Sequence, residues 1–184
     1  VGNLSLSEDI GFGVRVIVNG AWGFASSPDL SPTNIDKVAG EAVRVAKASA
    51  MLKAEDVRLA PEPVVNETWQ TPIVEDPFSV PMAEKLDSLM EIDKILRADQ
   101  RVTNAESTMS FKREHQWMAT SEGSYINQLL IRSGAGYSAT AVGDGEIQTR
   151  SYPNSFRGQY MTTGYELVRS LKLIENAERV REEA

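Results

Sequence analysis

His115 is the single histidine of a 184-residue chain that contains no cysteine. A zinc site needs three protein ligands with an open position, or four when it is structural. One imidazole and no thiolate leave only carboxylates to complete such a set. Glu114-His115 is also not the HExxH spacing that puts two histidines on one helical face. It reads as a strand histidine beside a charged turn. A serine triad would have to use His115 as its base, and no G-x-S-x-G elbow is present. Gly134-Ala135-Gly136 matches half of a nucleotide fingerprint. It lies inside a predicted strand, not between strand and helix, so it reads as a bulge or bend. Asp144 could ligate calcium, but the turn Gly143–Glu146 already requires an Asp-Gly pair. Glu106, Glu114, Glu122 and Asp144 are too scattered for a paired acid and base. No residue of the chain is therefore assigned as catalytic, cofactor-binding or metal-ligating.

The elements that would have to position any such group start with Gly11 to Ser27. Phe12, Val14, Val16 and Val18 alternate, Asn19-Gly20 follows, and Ala21 to Ala25 returns. Asn-Gly between two strand-like runs predicts a hairpin, because both turn positions need positive φ. Leu4 and Leu6 alternate with serines as a further strand candidate. Ser31 and Pro32 open a helix, continued at helical spacing by Ile35, Val38, Ala39, Ala42, Val45, Ala46 and Ala50. Gly40 weakens it by about 1 kcal/mol against alanine. Prolines punctuate 54–81, where Val64, Val65 and Trp69 suit a short edge segment.

A second helix is predicted from about Pro81 to Asp99. Met82, Leu86, Leu89, Met90 and Leu96 mark its buried side, and Lys85 is placed with the solvent-facing charges. From Val102 the period becomes alternating. A strand through Ala105–Phe111, a turn at Lys112-Arg113-Glu114, a return through His115–Ala119, a long strand from Ser124 to Val142 and a last one from Ile147 to Tyr152 make a meander. Gly158 to Gly164 reads as a loop. A third helix is predicted over Tyr165–Arg181, burying Leu167, Val168, Leu171, Ile174, Ala177 and Val180. Trp22, Trp69 and Trp117 are assigned to the core. The expectation is one α+β domain over 1–184. Its antiparallel sheet, a hairpin plus a meander of about four strands, carries about three helices.

Net charge is -7, and no Lys/Arg cluster forms the basic face that DNA binding needs. Direct nucleic-acid contact is not expected. No apolar run approaches the roughly 20 residues that span a bilayer. The lack of cysteine fits a reducing compartment, so a cytoplasmic location is expected. The first residues carry no basic-then-apolar leader, and both ends read as cut.

Gly11-Phe12-Gly13-Val14-Arg15-Val16, then Trp22-Gly23-Phe24-Ala25-Ser26, then Asp29-Leu30-Ser31 before an alanine-rich helix, resemble the N-terminal domain of the TldD/PmbA family. Weaker likeness continues through Ser121-Glu122-Gly123 and the strands after it. Family members are labelled modulators of DNA gyrase and are regarded as zinc metallopeptidases. The resemblance implies a longer parent whose later part carries a HExxxH zinc motif. There zinc activates a water and a glutamate acts as base. The motif is absent from this chain, so no zinc ligand is carried over to any position. The resemblance further implies a domain that shapes a peptide cleft and an assembly surface. Its partners would be the C-terminal domain of the same parent, a second subunit in a homo- or heterodimer, and a peptide substrate. An extended peptide can add to a free sheet edge, which the sequence alone does not name. The alternative is a PmbA-like partner without chemistry of its own.

Overall fold

The computed structural model describes residues 2–155 and 158–184; Val1, Phe156 and Arg157 lie outside them. Where one domain is expected, the chain forms two compact units, residues 1–63 and 64–184.

In the first unit β1 (Phe12–Val18) pairs antiparallel with β2 (Ala21–Ser27). Asn19 and Gly20 take φ of 50° and 70°, as their Asn-Gly turn requires. Helix α1 (Pro32–Ala50) follows, with Pro32 in its first turn and Val38, Ala42 and Ala46 buried. Ile35 and Val45, expected inside, are exposed. The helix crosses the hairpin at Gly23, where a Cβ would fall on the Ala42 carbonyl and 2.8 Å from the Ala46 methyl. Gly23 therefore permits backbone-to-backbone approach. Leu4 and Leu6 belong to no strand; their alternation is too short, and both are exposed.

The second unit holds a mixed five-stranded sheet, not an antiparallel one. β3 (Asn66–Gln70), β4 (Val102–Ala119), β5 (Tyr125–Gly143), β6 (Glu146–Tyr152) and β7 (Gln159–Met161) compose it. β5 pairs antiparallel with β4, β6 and β7, but parallel with β3. The parallel pair is possible because the chain between β3 and β5 contains helix α2 (Met82–Leu96) and the whole of β4, long enough to bring β5 back in the same direction. The residues expected as a loop, 158–164, contain β7, which continues the edge of β5 beside β6. β4 and β5 run 18 and 19 residues.

No turn interrupts β4 at Lys112-Arg113-Glu114. The pairing with β5 is unbroken from Asn104 to Ala119. The three charges are satisfied at the surface instead, by Asp76 and Arg132 among others.

Helix α2, α3 (Glu166–Leu171) and α4 (Leu173–Glu183) pack on one face of this sheet, over Ala105, Ala135, Tyr137 and Ala139. Lys85 is buried in α2, whereas Met82 and Met90 are exposed. The third helix expected over Tyr165–Arg181 is broken at Lys172, which adopts φ 48°. The break resets the helical phase, so Leu173 turns inward and Ile174, expected inside, outward.

Candidate functional site

His115 and Glu114 are neighbours on β4, and successive strand residues point to opposite faces. The two groups therefore cannot act together. The His115 ring lies 3.7 Å from the Trp117 ring, centroid to centroid. Its Nε2 makes a 2.7 Å hydrogen bond with Asn127 Oδ1 on β5. Glu114 is on the other face, accepting from Arg132 at 2.9 Å and Lys112 at 3.0 Å, with Gln116 also donating to it. Hydrogen bonds from Lys112, Arg132 and Gln116 hold its carboxyl at about 2. A general base works best with a pKa near the operating pH, so Glu114 is a structural anion.

Glu166, at the start of α3, is held in the same way. Burial alone would raise the Glu166 carboxyl. Thr163 Oγ1 at 2.6 Å, Gly164 N–H at 2.9 Å and Glu75 N–H at 3.0 Å donate to it and bring it to about 2. Arg169 grips Glu75 at 2.6 and 2.7 Å and Glu84 at 2.9 Å. Lys85 is the one buried charged side chain among the described residues. Desolvation lowers its pKa, against the pull of Asp76 and Glu84. Its Nζ donates to the Pro77 carbonyl at 2.5 Å and sits 4.8 Å from the Phe111 ring centre. That ammonium pins the 75–80 segment; nothing about it is open to substrate.

The glycines of Gly134-Ala135-Gly136 neither bulge nor bend the strand. Both stay in register with β4, opposite Ser110 and Thr108. Gly134 is required because the Tyr160 ring lies on its backbone, with Tyr160 Cγ 2.6 Å from where a Cβ would sit. Asp144 has φ 50° and Gly145 82° in the β5–β6 turn, which is the conformation an Asp-Gly turn takes.

Among the described residues, no three His, Cys, Asp or Glu side chains come together where they could hold a metal. Glu106, Glu114, Glu122 and Asp144 are not assembled into a site. The residues present do not fit the zinc that the resemblance implies for the parent. The tryptophans expected in the core are exposed, Trp22 by 42%, Trp69 by 44% and Trp117 by 58%. None of the helices formed by the described residues is long and apolar enough to cross a membrane.

Two family models match the chain in succession. PmbA/TldA metallopeptidase domain 1 covers residues 1–46, and the PmbA/TldA metallopeptidase central domain covers residues 75–184. The chain belongs to the TldD/PmbA family. Among its relatives, a metalloprotease of Synechocystis sp. is 27% identical over 159 residues, 84% of this chain and 33% of that protein. A crystal structure of a Thermotoga maritima protein, described as a candidate modulator of a DNA gyrase, superposes with a TM-score of 0.68 at 17% identity. It matches 95% of this chain and 36% of that one; at this identity the likeness is one of fold. The TldD/PmbA chain described here thus spans about a third of the length of each.

Proposed function

We propose that this chain supplies the non-catalytic cleft-shaping and assembly part of a TldD/PmbA-like metallopeptidase, with peptide-bond hydrolysis belonging to the longer protein. The observation that carries this reading is the pair of successive domain matches, both described as metallopeptidase domains. It is supported by the scatter of potential metal ligands among the described residues, since zinc chemistry needs at least three of them together. The remainder of the parent is then the first partner, a peptide the substrate, and the cytoplasm the setting.

A second reading is a PmbA-like partner without chemistry, acting on DNA gyrase through protein contacts. The description of the Thermotoga maritima neighbour favours it. A net charge of -7 favours protein over DNA as what it touches.

The test compares the 184 residues with the full-length parent. Zinc content after dialysis and cleavage of unstructured peptides are measured on both. The expected result is zinc and cleavage in the parent alone. Stoichiometric zinc bound by the 184 residues overturns the proposal. A parent that neither holds zinc nor cleaves overturns it in favour of the second reading.

A further inference from the structure

The register of the β1–β2 hairpin divides its side chains between two faces. Gly23 lies against α1 and pairs with Val16, so Gly13, Arg15, Ile17, Trp22, Phe24 and Ser26 share the opposite face. Trp22 and Phe24 are exposed there, and Arg15 is the one charged residue of the six. Its guanidinium lies 5.7 Å from the Trp22 ring centre and 5.8 Å from that of Phe24. Phe24 stands directly across from Arg15 and Trp22 on the diagonal, the two positions from which cross-strand side chains meet. The ion pairs of the first unit are Arg44–Glu41 and Lys53–Asp56; among the described residues no carboxylate pairs with Arg15. A guanidinium held flat by rings keeps its N–H fork for a carboxylate, which it can grip bidentately. Towards the start of β1 the Phe24 ring leans over Gly13, 2.7 Å from where a Cβ would sit. The same ring walls a shallow depression of about 440 Å³, lined further by Gly11, Gly13, Ser26 and Pro28. The Asn19-Gly20 turn is two residues long, so Val18 and Ala21 form a hydrogen-bonded pair, as does every second pair after them. Arg15 and Gly13 fall between these pairs and aim their backbone N–H and C=O groups away from β2. No backbone hydrogen bond reaches those groups.

We propose that this face binds the carboxyl terminus of a peptide that ends in a large apolar residue. The terminal carboxylate takes Arg15, and the last side chain lies in the depression against Phe24. The outward backbone groups of β1 receive the peptide main chain, which a free acid does not possess. Arg15 and Gly13 stand two residues apart, about 7 Å at ~3.4 Å per residue, a span that one leucine- or phenylalanine-sized residue covers. One cation set among apolar groups matches one carboxylate on an apolar body. A nucleic acid would meet this single positive charge on a chain of net charge -7. Binding here requires no hydrolysis, so it stands whether or not the parent is a peptidase.

The probe is the peptide Gly-Gly-Ser-Phe with a dansyl group on its amino end, titrated with the 184-residue chain and followed by fluorescence anisotropy. Saturable one-to-one binding is expected. Amidating the carboxyl end of the peptide should weaken it about tenfold, and Arg15→Gln should do the same. Ser26→Phe sets a ring in the depression and should abolish binding with the arginine intact. Lys37→Gln removes an exposed cation of α1 and should change nothing. Circular dichroism confirms that each variant is folded. Absence of saturable binding at millimolar protein concentration overturns the proposal. So does equal affinity for the acid and the amide, indifference to Ser26→Phe, or a response to Lys37→Gln as large as that to Arg15→Gln. Phenylpropionate that binds as tightly as the peptide overturns the peptide as occupant in favour of a free apolar acid.

Discussion

The Tyr137 hydroxyl donates to the Leu173 carbonyl at 2.9 Å, and the Tyr152 hydroxyl donates to the Leu171 carbonyl at 2.8 Å. The two acceptors flank Lys172, where the helix is broken. The end of α3 leaves the Leu171 carbonyl without a helical N–H partner, and the Tyr152 phenol takes it. The Tyr137 phenol adds a bond to the carbonyl of Leu173, the first residue of α4. The Tyr137 ring is also 1% exposed, and burial pushes its hydroxyl's pKa up, so it stays protonated as a donor. Tyr137→Phe keeps the ring and removes the bond to the first turn of α4. It should lower unfolding free energy by about 1 kcal/mol, read from the midpoint of urea denaturation.

Gly23 and Gly40 should respond in opposite directions. A methyl at Gly23 meets helix backbone, whereas one at Gly40 meets nothing within 4 Å. Gly23→Ala is expected to destabilise the first unit by about 1–3 kcal/mol through overpacking. Gly40→Ala, inside α1, should stabilise it by up to about 1 kcal/mol. Differential scanning calorimetry of both variants checks the sign of each.

Gly134 and Tyr160 form one contact and should behave as one unit. Gly134→Ala drives a methyl into the Tyr160 ring and is expected to destabilise the second unit. With Tyr160→Ala already present, the same substitution should cost little. A double-mutant cycle that instead returns additive effects would show that the ring does not set the glycine requirement.

Acid sensitivity follows from carboxyls held low in the folded state. Glu166, Asp99 and Glu114 are each held at about 2, against an ordinary value of about 4 when unfolded. A depressed pKa contributes stability above the unfolded value and loses it as pH falls towards the folded one. Stability should therefore decline between about pH 5 and pH 2. Glu166→Gln should lower the denaturation midpoint at pH 6, and its deficit against the unsubstituted chain should shrink by pH 3.

The turns and helix starts are legible in the sequence because single residue types dictate them. Asn19-Gly20 and Asp144-Gly145 announce positive φ, and Ser31-Pro32 announces a helix N-terminus. The prolines around Val64 to Trp69 put that segment at an edge, and β3 lies there. What escapes the sequence depends on partners far along the chain. Lys112-Arg113-Glu114 resembles a turn until Asp76 and Arg132 are seen to answer its charges within a strand. The break at Lys172 carries no glycine, and the partners of the carbonyls beside it are two tyrosines well upstream, Tyr137 and Tyr152. Lys85 sits among solvent-facing neighbours in sequence, but its interior position depends on the Pro77 carbonyl and the Phe111 ring.

β5 serves as a shared rail. One of its edges carries β4 along nearly its whole length, while the other passes from β3 at Tyr125–Leu129 to β7 at Ser133–Ala135 and β6 at Tyr137–Gly143. No two of the outer strands need each other to stay in place, yet all need this one. A slip of β5 by a single residue would turn Ala135, Tyr137 and Ala139 away from the helices and break every ladder in the sheet together. The short, exposed β3 can therefore fray without disturbing its neighbours, whereas opening β5 releases every ladder, so the β5 amides should be the slowest of the sheet to exchange.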